Sequence, residues 1–225
     1  MSDEIFVANV LPALIGAISG SIGGNFLSDW LARRSEREKI RRELVDGYLI
    51  QLQDSLESLW FRIDNIENRD GLQKMTDIYY EESTLYILGS VLAHSRILSN
   101  EGVYTKIEQS IPGLGIFLRD KMNQFGSYLD NIDSRIHFYQ YDRIALAEAI
   151  ISLNDDRKTI GSYLEFRKQY EDSSSNFKSV LTPAKEFITN IKSHELNQVM
   201  ERLYEIADRI DTQTGITTGI KNPTY

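Results

Sequence analysis

Apolar positions fall into three patterns along this chain, and each predicts a different kind of element. From Ile5 to Leu27 the chain reads IFVANVLPALIGAISGSIGGNFL, more than twenty residues without a charge. Ala8, Pro12, Gly16, Gly20, Gly24 and Ser28 recur at every fourth position there, while Val7, Leu11, Leu14, Ile18, Ile22 and Phe26 lie on the other side. From Val45 the steps alternate between four and three through Leu49, Leu52, Leu56, Leu59, Ile63 and Ile66. That is a heptad seam, which packs in a coiled coil or against the chain's own later helices. From Met75 to Ser99 apolar residues occupy several faces, including Leu85, Ile87, Leu88, Val91, Leu92 and Leu98. A helix apolar on most sides belongs in a core. Gly89 and Ala93, one turn apart, predict close approach by another helix.

Stop signals divide the rest. Asn68, Asp70 and Gly71 end the seam helix, and Asn100, Glu101 and Gly102 end the core helix. Val103 to Ser110 is a short helix, broken by Pro112, Gly113 and Gly115 before a seam of Leu118, Met122, Phe125, Leu129 and Ile132. Ile136 to Tyr141 is rich in β-formers but reads as a linker or helix start, because no second strand is evident. Asp142 is the expected N-cap of RIALAEAIISL, with the next helix over Lys158–Tyr170. Thr182-Pro183 reads as a cap followed by proline at the first helical position. Ser193 is the expected cap of the last helix, whose seam is Leu196, Met200, Leu203, Ala207 and Ile210. After Asp211 the run TQTGITTGIKNPTY lacks a core pattern and is expected to be loose. The expected fold is all-α: a single transmembrane helix continuing into a long helix, then a cytoplasmic helical bundle. Its segments are an anchor over 1–32, a basic neck and seam helix over 33–70, a body over 71–211 and a tail over 212–225.

The first run carries the functional expectation. A spanning helix needs roughly 20 mostly apolar residues, and within lipid a helix pairs its own backbone groups. Small residues four apart let two such helices approach closely, held by van der Waals packing. The flanks agree: MSDE lacks a base, while Trp30, Arg33, Arg34, Arg37, Lys39, Arg41 and Arg42 follow the run. Trp30 suits the interface, and the bases place this side in the cytoplasm and the N-terminus outside. Trp30, Arg33, Arg34 and Arg37 are the expected headgroup contacts. Asn9, Ser19, Ser21 and Asn25 leave two other readings open, an interfacial helix and a glycine-rich helix buried in an oligomer.

Charge narrows the partners. The chain has 225 residues and a net charge of −8, and residues 1–47 hold six bases against seven acids. The body therefore carries nearly all the negative charge, which disfavours nucleic acid as a main partner. The expected partners are the bilayer, further copies of this chain, and another protein. Cysteine is absent, so no disulfide framework or thiolate metal site exists.

The segments LYILGSVLAHSRILSNEGVY, YDRIALAEAI and YLEFRKQYED resemble stretches of bacterial membrane-anchored helical proteins of unassigned function. The layout is also similar to that of anchored accessory proteins of bacterial defence systems, some of which form pores. The resemblance implies an all-helical protein anchored in the bacterial inner membrane and carries over no catalytic residue.

Chemical motifs are sparse. His94, His137 and His194 are far apart, and His194-Glu195 is not continued as H-E-x-x-H. No phosphate loop or nucleophile elbow occurs. The Arg-to-His spacing of HEPN-type helical nucleases is absent, since Arg135 stands only two residues before His137. No catalytic residue, cofactor or metal is expected. One polar-aromatic cluster stands out: His137, Tyr139, Tyr141, Asp142, Arg143 and Glu148. It reads as a capped connector or, alternatively, as a polar pocket of a divergent hydrolase. Arg143 and Glu148 are five apart, a poor spacing for a direct helical pair. Arg96, inside the apolar helix, calls for a carboxylate partner.

Overall fold

The computed structural model describes residues 30–68, 78–132, 138–154, 157–172, 177–190 and 193–223. The chain divides into two units, Met1–Arg42 and Glu43–Tyr225. In the first, residues 30–42 are helical and exposed along their length. Glu38 lies 3.8 Å from both Arg34 and Arg42, and the Arg34 guanidinium sits 5.5 Å from the Trp30 ring centre. Such exposed pairs contribute a few tenths of a kcal/mol each. The expected span and its row of Ala8, Pro12, Gly16, Gly20, Gly24 and Ser28 lie outside the described residues. Among those described, no helix is long and apolar enough to cross a membrane.

The second unit is a helical bundle with one hairpin. A π-helical turn at Val45–Leu49 leads into α1 (Ile50–Asn68), followed by α2 (Ile78–Asn100), α3 (Val103–Ser110), α4 (Leu114–Asp130) and α5 (Gln140–Glu148). The hairpin strands β1 (Ile151–Asn154) and β2 (Arg157–Ile160) come next, then α6 (Tyr163–Glu171), α7 (Phe177–Val180), α8 (Thr182–Asn190) and α9 (Ser193–Thr214). The seam of α1 is spent inside this fold: Leu49, Leu52, Leu56, Leu59, Ile63 and Ile66 are all buried, with α1 packed on α9 and α2. The heptad pattern thus serves the bundle within the chain and not a coiled coil.

Helix α2 is the centre, packing against α1, α3, α4, α5, α6, α8 and β2. Its many apolar faces follow from having neighbours all round. A Cβ on Gly89 would fall 2.2 Å from Ile150 Cδ1 and 3.1 Å from Leu146 Cγ, so the missing side chain brings α5 against α2. Between α3 and α4, Gly113 at φ 84° makes the reversal that only glycine adopts readily. The Glu108 carboxylate then accepts from the N–H groups of Gly113 at 2.8 Å and Ile116 at 3.0 Å. Those donors hold its carboxyl below the usual carboxylate range.

Four local expectations are corrected. RIALAEAIISL does not stay helical. Helix α5 stops at Glu148, and Ile151–Asn154 pairs antiparallel with Arg157–Ile160, Ile151 opposite Ile160 and Asn154 opposite Arg157. The helix expected from Lys158 starts at Tyr163 instead, where Ser162 and Glu165 form a reciprocal capping box. Asp142 is not the N-cap of α5. Tyr139 holds that position and Asp142 lies in the first turn, where an acid favours the helix dipole. Thr182 is the first residue of α8, and its hydroxyl donates to Lys178 O at 3.1 Å.

The tail also differs. Helix α9 runs to Thr214, and the following residues fasten to α1. Glu57 Oε1 accepts from the Thr218 hydroxyl at 2.9 Å and from Gly219 N–H at 3.0 Å. Gln53 Nε2 donates to Ile216 O at 3.4 Å, and Ile220 is buried.

Candidate functional site

Helices α2, α4 and α5 meet around a polar groove of about 390 Å³. Each presents a helical stripe to it: Leu92, Arg96 and Ser99 from α2, Asn123, Gly126 and Asp130 from α4, Gln140, Arg143 and Ala147 from α5. These spacings of three and four place each set on one face. Arg143 is the more enclosed guanidinium, with an 11% exposed side chain. Its Nη1 donates to Phe138 O at 2.8 Å and pairs with Asp130. Arg96 pairs with Glu148 at 2.5 Å, and that carboxylate is 55% exposed.

The structure thus divides the polar-aromatic cluster. Arg143 faces the groove and Glu148 pairs across it with Arg96, so the two do not meet as a pair. Tyr141 is 82% exposed and Tyr139 56% exposed. His137 lies outside the described residues. Asp130, Asn123, Gly126 and Gln140 complete the groove and were not singled out by motif. On α4 their signal was a stripe of Asn123, Gly126 and Asp130 flanking the Leu118–Leu129 seam, legible only once α5 is known to lie beside it.

A second polar site surrounds His94. Its Nδ1 is 2.9 Å from Ser90 O, which assigns the proton to that nitrogen, and 3.2 Å from Ser55 Oγ. Ser55 itself donates to Gln51 O at 3.0 Å. With both protons directed at carbonyls, the imidazole is not placed as a base for the hydroxyl. Burial pushes His94 down to about 4. Its Nε2 finds no partner among the described residues.

A third cluster joins α2 to α6 and α8. Tyr170 donates to Glu81, which also meets Lys185 Nζ at 3.0 Å. Burial raises the Glu82 carboxyl, opposed by Arg167 at 3.9 Å. Burial and the Glu81 bond raise the Tyr170 phenol. Among the described residues no three His, Asp or Glu side chains converge as a metal-ligand set.

Among the described residues, fold and site define a mostly helical bundle protein with one two-stranded hairpin and a groove lined by two arginines. No protein-family model, curated protein or solved structure matches the chain significantly.

Proposed function

We propose that this is a membrane-tethered protein whose copies assemble through the N-terminal segment and hold the acidic helical body at the cytoplasmic surface, as a pore or a scaffold. The observation that carries the reading is the uncharged run Ile5–Leu27, with its small-residue row, followed from Arg33 by a cluster of bases. The exposure of residues 30–42, where Trp30 is 49% and Leu31 52% exposed, supports it by leaving that helix open to headgroups. The burial of the α1 seam within the bundle supports assembly through the segment before residue 30 and not through a coiled coil. In a pore, Asn9, Ser19, Ser21 and Asn25 line the lumen, because polar groups in a span face the bundle interior.

The test is the mass of detergent-solubilised full-length protein beside a chain starting at Arg33, by light scattering. Assembly of the first and a monomeric second is expected; equal masses overturn the reading. Gly16→Leu, Gly20→Leu and Gly24→Leu together break assembly by blocking close backbone approach. Conductance across liposomes separates pore from scaffold. The rival reading is a tethered module, monomeric or dimeric, whose body binds another protein, and it leaves function intact in the triple leucine variant.

A further inference from the structure

Gly126 sits in the middle of α4, where glycine weakens a helix relative to alanine. It is not one of the glycines with positive φ among the described residues. The nearest atoms to a Cβ placed there would be those of the Arg143 guanidinium, at 3.6 to 3.8 Å, an ordinary contact. Neither backbone conformation nor packing therefore calls for glycine. What its bare backbone leaves open is one edge of Arg143. Nη1 of that guanidinium is engaged by Asp130 and Phe138 O, while Nε and Nη2 are the atoms lying over Gly126. On α2, Arg96 is held among the described residues by Glu148, a largely exposed carboxylate that can swing into water.

We infer that the groove binds a phosphorylated polyol. A guanidinium fork matches phosphate oxygens with two parallel N–H donors. The phosphate accepts from the Nε–Nη2 edge of Arg143 and from Arg96 as Glu148 gives way. Asp130 stays on Nη1 and keeps Arg143 in place. Ser99, Asn123 and Gln140 supply hydroxyl and amide partners for the hydroxyls of the ligand. The volume of about 390 Å³ lies in the range of small-molecule sites. No aromatic ring lines the groove among the described residues, so a nucleobase has no stacking platform there. The same chemistry has two sources, a soluble sugar phosphate and a phosphorylated inositol headgroup of a lipid.

The experiment is calorimetric titration of the full-length protein with glucose 6-phosphate, inositol monophosphate, AMP and inorganic phosphate. Saturable binding of at least one polyol phosphate is expected, weakened by about tenfold or more in Arg96→Gln, as for loss of a charge-assisted hydrogen bond. Gly126→Leu fills the floor and abolishes binding, and Gly126→Ala confirms that a side chain there leaves the fold intact by circular dichroism. Tighter binding of glucose 6-phosphate assigns the soluble source, and tighter binding of inositol monophosphate assigns the headgroup. The inference is overturned if no polyol phosphate binds, or if Arg96→Gln and Gly126→Leu bind like the parent. It is also overturned if AMP or inorganic phosphate binds as tightly as the tighter-binding polyol phosphate.

Discussion

His94 shows how one residue in this core ties stability to pH. It is 5% exposed, neutral, and held through Nδ1 by Ser90 O. In the unfolded chain its pKa returns to 6.5, while in the fold burial keeps it near 4. Above pH 6.5 both states are neutral and the full contribution is present. As pH falls through that value, the unfolded state takes a proton that the folded state refuses. Stability then declines until about pH 4, by up to ~3 kcal/mol for a shift of this size. Urea midpoints measured from neutral pH down to about pH 4.5 should fall more steeply in the parent than in His94→Gln. Parallel curves would mean that the imidazole is not the cause. The exposed carboxyls of Glu108 and Glu165, both lowered by hydrogen bonds, act at more acid pH, and the raised Glu82 carboxyl, which acts in the opposite direction, is common to both chains and cancels in the comparison.

At the scale of elements, two glycines on α4 make opposite predictions although both sit in the same helix. A Cβ on Gly115 would lie 2.1 Å from Tyr104 O and 2.6 Å from Glu108 N, both backbone atoms of α3. Backbone cannot step aside as a side-chain tip can, so Gly115→Ala should cost more than about 3 kcal/mol by forcing α3 and α4 apart. The nearest atoms to a Cβ on Gly126 belong to the tip of Arg143, at ordinary contact distance, so Gly126→Ala should stabilise by about 0.5–1 kcal/mol through helix propensity. Denaturant titration of both variants checks the pair, and like signs would contradict this packing. The hairpin belongs to the same scale. Leu146, Ala147 and Ile150 continue an amphipathic helical pattern, yet Glu148 ends α5 and β2 packs on α2. Alanine and leucine around Glu148 favour helix locally, and the β-branched residues Ile151, Thr159 and Ile160 gain more from pairing beside α2.

For the whole molecule, the C-terminal residues close the bundle onto α1 across more than 150 positions of sequence, with Glu57 as the clasp. Glu57→Ala removes the acceptor for Thr218 and Gly219, which are partly buried and exposed, and should lower stability by about 1 kcal/mol, the net contribution of such hydrogen bonds. Limited trypsin digestion at Lys221 should become faster than in the parent. An unchanged cleavage rate would mean that Ile220 alone secures the tail. Composition without periodicity could not announce this arrangement, because the tail is held by a carboxylate on a distant helix.

Much of the bundle was written in local periodicity. The four-three spacing of Leu49 to Ile66 named the residues that are buried, and the all-round apolar character of α2 named the central helix. Gly102 and Gly113 marked turns that need positive φ. These features were legible because a helix exposes its faces at a fixed repeat and a left-handed turn has few residues to choose from. Periodicity says which side of a helix is apolar but not which neighbour covers it. The choice of the chain's own α9 over a second copy, the Arg143–Asp130 and Arg96–Glu148 pairs, the hairpin and the clasp at Glu57 all join residues far apart in sequence. Each is stabilised by a partner that only the assembled fold supplies, and for that reason tertiary structure alone decided them.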